Sequence, residues 1–195
     1  MTLPRLVFAT RNPGKVKEIA QLLDGLFTVV GLDEIGCHED VPETADTIEG
    51  NAIQKAEYVK AHYGVDCFAD DTGLEVNALN GRPGVHTARY AGPAKDANAN
   101  MDKLLAALEG QPDRGARFKT VIALTTVGGT LTFEGICAGS IALQRSGADG
   151  FGYDPVFVPE DGSGTFAEME AAEKNRVSHR GKAVRAMVEK LKKGG

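Results

Sequence analysis

At 195 residues the chain is long enough for one domain with its own core, on the usual scale of ~100–200 residues per domain. Hydrophobic residues make up 42% and charged residues 25%, which is ordinary for a soluble globular protein and excludes a fibrous or disordered class. The formal charge of −5 excludes a global basic field for nucleic-acid polymers or anionic membranes, so any phosphate chemistry must come from local cations.

The apolar run Leu6–Ala9 is predicted as a strand that opens on the polar turn Thr10–Gly14. Val16, Ile19, Ala20 and Leu23 then recur at helical spacing to about Asp24, so the N-terminus reads strand, phosphate-sized turn, helix. Phe27–Val30 is a second strand and Gly31–Asp46 an acidic loop. Asn51–Tyr63 is helical, with Ala52, Ala56, Val59 and Tyr63 on one face. Val65–Ala69 is a strand ending at Asp70-Asp71-Thr72-Gly73, and Asn80–Gly84 is a Gly/Pro-rich loop. Met101, Leu104, Leu105 and Leu108 mark a helix stopped by Gly110. Arg117–Val127 and Thr130–Ile136 flank the hairpin signal Gly128-Gly129, and Ser140–Gln144 adds a strand. From Lys182 an amphipathic helix runs into the Lys-Gly end of the chain. This order predicts an α/β fold with a mixed sheet, formed by a single domain over 1–195. No apolar run is long enough to span a membrane, the first residues lack a signal-peptide pattern, and Cys37, Cys67 and Cys137 have no metal or disulfide spacing. A cytoplasmic protein with reduced thiols is expected.

Four polar islands lie between these elements. Thr10-Arg11-Asn12-Pro13-Gly14-Lys15 combines backbone N–H groups at a helix start with a hydroxyl, an amide and two cations, a fitting phosphate cradle. It equally suits an N-capped turn. It is not a Walker A loop, because Ala9 and Val16 stand where that motif needs Gly and Ser or Thr. Asp70-Asp71-Thr72-Gly73 follows a buried strand, where catalytic groups of α/β sheets collect. Adjacent carboxylates on a strand face opposite ways, so one can meet metal and substrate while the other braces a neighbouring loop. An Asp-rich turn with Gly73 in the left-handed region fits as well. Gly150-Phe151-Gly152-Tyr153-Asp154-Pro155 can stack a base and hydrogen-bond its edge, or supply core aromatics. Glu173–Arg180 gathers three cations and an imidazole, and a solvated charge run is the alternative.

Together the islands resemble the inosine triphosphate pyrophosphatase family, which acts on non-standard purine nucleoside triphosphates. The resemblance runs from Phe8 to Lys182. It rests on Ala9–Lys15, Asn51–Lys55, Ala69–Glu75, Gly84–Tyr90, Gly150–Pro155 and Ser178–Arg180, six stretches in order. It implies a two-lobed α/β fold, a twisted mixed sheet flanked by helices, a nucleotide cleft between the lobes, and a homodimer. The implied reaction converts ITP, dITP or XTP to the monophosphate and pyrophosphate with Mg²⁺. Thr10–Lys15, Lys55 and Lys174 would hold the triphosphate. Asp71 would be general base and metal ligand, and Glu43 the second metal carboxylate. Phe151 would stack the base, Tyr153 and Asp154 would line its pocket, and His179 and Arg180 would read its edge. Thr72 and Gly152 join the substrate-binding set. Two positions depart from the family pattern: Gly50 stands where many members carry Glu, and Arg11 replaces a commoner small residue. A pyrimidine-directed relative shares the N-terminal Thr-x-Asn-x-x-Lys pattern, and a non-catalytic nucleotide sensor would have no use for Glu43 and Asp71.

Overall fold

Period-two alternation along the strands decides where each helix packs. In the computed structural model, which describes residues 3–193, β1 (Arg5–Phe8) pairs in parallel with β2 (Thr28–Val30) and with β3 (Cys67–Val76). Val7 lies opposite Cys67, and Phe8 opposite Phe68. Successive side chains point to opposite faces. Leu6, Phe8, Phe68, Ile122 and Leu124 therefore share one core with Ile19 and Leu23 and with Ala183, Val184, Met187 and Val188. The first pair belongs to α1 (Pro13–Leu22) and its cap, the other four to α5 (His179–Lys193). Val7, Ala9, Cys67, Ala69, Val121 and Ala123 build a second core against Ala52, Ala56 and Val59 of α2 (Ile48–Tyr63). The Phe8 and Phe68 rings stack at 4.5 Å, and burying one such ring contributes ~1.5–3 kcal/mol.

Among the described residues the mixed sheet has seven strands in the order β2-β1-β3-β5-β6-β7, with β4 (Pro83–Gly84) antiparallel to β3. β5 is Gly115–Thr126, β6 is Gly129–Ile141, and β7 (Phe157–Pro159) pairs antiparallel with β6. The chain divides into two compact units. Met1–Asp71, Thr120–Gly135 and Arg180–Gly195 form the first, and Thr72–Lys119 and Ile136–His179 the second, so β3, β5 and β6 each serve both. The second unit has its own core, in which α3 (Ala97–Ala107) supplies Met101 and Leu104 to Leu74, Val76, Phe118, Tyr153, Phe157 and Phe166. Cys37, Cys67 and Cys137 are free and buried, and burial pushes the Cys67 thiol up to about 12.

The α/β class and its mixed sheet match expectation. The main local correction concerns Asp70-Asp71-Thr72-Gly73, which is no turn. β3 runs straight through it, and Gly73 is not left-handed. Charged side chains here do not end the strand because cations from flanking helices meet them on both faces. The hairpin turn is Val127-Gly128, one residue earlier than read, with Gly129 (φ +106°) already opening β6. The segment read as a separate strand at Ser140–Gln144 is partly the end of β6. The charge run at 173–180 folds as α4 (Ala171–Val177), Ser178 and the start of α5. Gly194 and Gly195, read as following the last helix, lie outside the described residues, as do Met1 and Thr2.

Candidate active site

The first unit assembles its polar centre from α1, α2, α5 and the middle of β3. Asn12 caps α1 by accepting the Lys15 backbone N–H at 3.1 Å, and Pro13 begins the helix where no donor is needed. Thr10 Oγ1 accepts the Asn12 N–H at 3.2 Å, so the turn is closed from both sides and Gly14 falls in the first helical turn. These local bonds aim the Lys15 side chain at the strand.

Asp70 and Asp71 take opposite faces, as their alternation requires. Asp70 follows Phe68 onto the face covered by α1 and α5. There its Oδ1 accepts Lys15 Nζ at 2.9 Å and its Oδ2 accepts Arg180 Nε at 3.1 Å. Arg180 also pairs with Glu18, completing a chain of alternating charge, Glu18–Arg180–Asp70–Lys15, whose Arg180 is 2% exposed. Burial alone would raise the Asp70 carboxyl, but Lys15, Arg180 and Lys55 outweigh it and hold it far below the usual carboxylate range. Burial lowers the Lys15 ammonium against the pull of Asp70.

Asp71 follows Ala69 onto the α2 face. Lys55 Nζ lies 3.6 Å from its Oδ1 and 2.5 Å from Glu43 Oε1, so the two carboxylates converge on one point. Asn51 Nδ2 donates to Asp71 Oδ2 at 3.3 Å. The Asp71 carboxyl is raised, first by burial and then by Glu43 and Asp70, against Lys55 and Lys15. Lys55 is raised despite its burial, because Asp71, Glu43 and Asp70 surround it. Two neighbouring carboxyls are thus driven apart, one held as an anion and one raised in proton affinity.

Glu43 is delivered by a fastened loop. Thr44 N–H donates to Gln54 Oε1 at 2.8 Å, Gln54 Nε2 to Thr44 Oγ1 at 2.9 Å, and Ala45 N–H to Asn51 Oδ1 at 2.9 Å. Gly50 makes that closure possible: a Cβ there would meet Ala45 Cβ at 2.8 Å and Thr47 Oγ1 at 2.9 Å. Thr47 Oγ1 is needed, since it caps α2 through the Gly50 N–H.

In the second unit, Asp154 organises the turn before β7. Its Oδ2 accepts the Phe151 N–H and Lys174 Nζ, both at 2.7 Å. A Cβ on Gly150 (φ +79°) would fall 2.1 Å from that oxygen, so only glycine fits. Lys174 Nζ sits 5.2 Å from the centre of the half-buried Phe151 ring. His179 stacks on Phe118 at 4.5 Å.

The sequence profile of the Ham1 family matches residues 6–190. The chain belongs to the Ham1 family. It is 56% identical over 183 residues to the dITP/XTP pyrophosphatase of Porphyromonas gingivalis, covering 93% of this chain and 94% of that one. It is 54% identical over 187 residues to the enzyme of the same name from Flavobacterium johnsoniae, covering 96% and 97%. The solved structure of the Staphylococcus aureus Ham1 protein superposes with a TM-score of 0.88 at 38% identity, covering 98% and 100%.

Within this Ham1-family chain, Thr10, Asn12, Pro13, Gly14, Lys15, Glu43, Lys55 and Asp71 all fall in the first unit. Thr72 is half-buried and begins the second unit's share of β3; Phe151, Gly152, Tyr153, Asp154, Lys174 and His179 also lie in the second. Several expected residues have partners within the chain. Lys174 is held by Asp154 beside Phe151. Tyr153 is core, its buried hydroxyl donating to Thr87 O at 2.9 Å, while Gly152 (φ +64°) shapes the backbone beside it. The Arg180 guanidinium is bound by two carboxylates, because the start of α5 aims it at β3. Arg11 reaches the acidic loop, with Nη1 2.9 Å from Asp33 Oδ1. Asp70 is the bracing carboxylate of the pair, while Asn51 and Glu18 carry no assigned role in the sequence reading, although Glu18 lies three residues after Lys15 and Asn51 four before Lys55, both same-face spacings.

Proposed function

We propose that this chain hydrolyses non-standard purine nucleoside triphosphates, of the dITP/XTP class for which its relatives are named, to the monophosphate and pyrophosphate. The observation that carries the reading is the split fate of Asp70 and Asp71. One carboxylate is spent on locking Lys15, while its neighbour keeps a raised proton affinity beside Glu43 and Lys55. A binding module needs cations but has no use for a carboxylate tuned in this way.

In the proposed mechanism, Thr10, the segment from Asn12 to Lys15, and Lys55 bind the phosphates. The Thr10 hydroxyl and the N–H groups of α1's first turn supply donors, and the two ammonium groups offset negative charge. Asp71 orients the attacking water and accepts its proton, while Asn51 fixes the second oxygen of that carboxylate. Glu43 Oε1 and Asp71 Oδ1 are hard oxygen donors converging on one point, a donor set that fits Mg²⁺ and would hold it. Bound there, the ion would supply charge neutralisation and lower the proton affinity of water. Lys55, which lies against both carboxylates, would share them with the ion.

For the base, the support lies in the second unit. Phe151 offers a half-buried ring beside the Lys174–Asp154 pair, with Lys174 Nζ 5.2 Å from its centre. We assign recognition of the C6 oxygen to the Ser178–Arg180 stretch, whose Arg180 side chain is paired with Asp70 and Glu18. The family resemblance supports a homodimer acting in the cytoplasm, and no described helix is long and apolar enough to cross a membrane.

The test is pyrophosphate release from ITP, dITP, XTP, GTP and ATP at one subsaturating concentration. Adenine carries a donor at C6 where hypoxanthine and xanthine carry an acceptor, and burying two facing donors costs ~1–3 kcal/mol. ATP should therefore be slower than ITP by about ten- to a hundredfold, with GTP between them. ATP within threefold of ITP would remove the C6 reading.

A further inference from the structure

Resting on the triphosphatase reading above, we infer that Arg11 is a positioning residue: it ties the phosphate-binding turn to the strap, residues 33–46, that carries Glu43. Its neighbours Thr10 and Asn12 face the α1 N-terminus, but its own guanidinium turns away. Nη1 donates to Asp33 Oδ1 at 2.9 Å, and Nη2 donates to Cys37 O at 2.6 Å and Glu39 O at 3.2 Å. The ion pair with Asp33 is open to solvent and worth little by itself. The two carbonyls matter more, because they belong to a strap with no strand partner of its own and they bracket its path.

Further along, the strap is pinned in turn to α2. Cys37 is buried in the α2 core, and Tyr63 Oη donates to the Glu39 carboxylate at 2.6 and 2.7 Å, with Tyr58 Oη at 3.2 Å. Gln54 and Asn51 then hold Thr44 and Ala45, the two residues directly after Glu43. Three fasteners follow one another: Arg11 at residues 33–39, the tyrosines at Glu39, and the amides at 44–45. Only the first comes from the substrate turn. A displacement of Thr10–Lys15 on taking up phosphate is thereby transmitted to the arm holding Glu43, and the arm's position feeds back on the turn. The planar fork is needed, since its two terminal nitrogens reach the Asp33 carboxylate and the two carbonyls separately, where an ammonium offers its donors from a single atom.

The experiment compares wild type, Arg11→Ala and Arg11→Lys by three readouts. Amide exchange across residues 36–46 should speed up by about tenfold or more in both variants, with α2 amides at 52–60 unchanged. The Mg²⁺ concentration for half-maximal turnover should rise several-fold and kcat fall, while binding of tripolyphosphate in EDTA stays within about twofold of wild type. Arg11→Lys should rescue neither exchange nor kcat. Unchanged exchange in both variants overturns the proposal. So does a loss of tripolyphosphate binding in Arg11→Ala that Arg11→Lys restores, because a simple phosphate contact behaves that way. Should Arg11→Ala not fold, Arg11→Lys decides on the same readouts. Exchange is independent of turnover, so a wrong substrate assignment would leave that arm of the test intact.

Discussion

Asp71→Asn should lower kcat by about 10²-fold or more while leaving nucleotide affinity within a few-fold of wild type, the scale of losing a general base. Asn keeps the size of Asp and its one carbonyl oxygen can still accept from Asn51 or Lys55, but it cannot accept the proton of the attacking water. The change also removes one of the two carboxylates that converge on Lys55, so the Mg²⁺ requirement should shift upward. Single-turnover rates with ITP separate the chemical step from release, and equilibrium binding of a non-hydrolysable analogue measures affinity. A variant retaining more than half of the wild-type rate would move the base elsewhere, with Glu43 as the next group to test.

Asp70→Asn acts on stability instead, and on a comparable scale. The carboxylate is 1% exposed and neutralises Lys15 and Arg180 together. Removing one member of a buried ion pair strands the others and typically costs ~3–5 kcal/mol. Arg180 keeps Glu18, so the lower end of that range, about 3 kcal/mol, is expected. The pH dependence has a definite sign. Cationic neighbours depress this carboxyl in the folded state, so its stabilisation is present above the unfolded value of ~3.9 and fades as pH falls toward the lower folded one. Urea unfolding at pH 7 and pH 3.5 should therefore separate variant from wild type widely at the first pH and less at the second. Equal separation at both would mean that Asp70 carries no net charge interaction.

The alternating apolar pattern made the parallel strands and their flanking helices readable, since Leu6–Ala9 and the Ala52, Ala56, Val59 face need no tertiary knowledge. The extent of β3 was not readable. Two adjacent Asp residues and a Gly look like a turn, and only the arrival of Lys15, Arg180 and Lys55 from three separate helices lets the strand continue through them. For the same reason the candidate site was legible in residue type and less so in pairing. The polar islands are visible in the sequence, but the roles of Lys174 and Arg180 come only from the family resemblance, and their partners within the chain do not show. Their partners, Asp154 and Asp70, lie 20 and 110 residues away in sequence. Distances of that kind carry no periodic signal. Gly50 is similarly silent until Ala45 is seen against it, when an apparent loss of a functional side chain becomes a requirement for space.

The three buried cysteines give this molecule an internal set of reporters. Cys37 and Cys67 sit in the first unit beneath α2, and Cys137 sits in the core of the second. None is exposed enough to react with a bulky thiol reagent from the folded state, and the raised Cys67 thiol offers almost no thiolate at neutral pH. Labelling must therefore wait for the surrounding structure to open. The rate at Cys137 meters the opening of the α3-lined core, and the rates at Cys37 and Cys67 meter the layer beneath the Glu43 arm. A wild-type chain thus carries separate clocks for its two halves without an engineered probe.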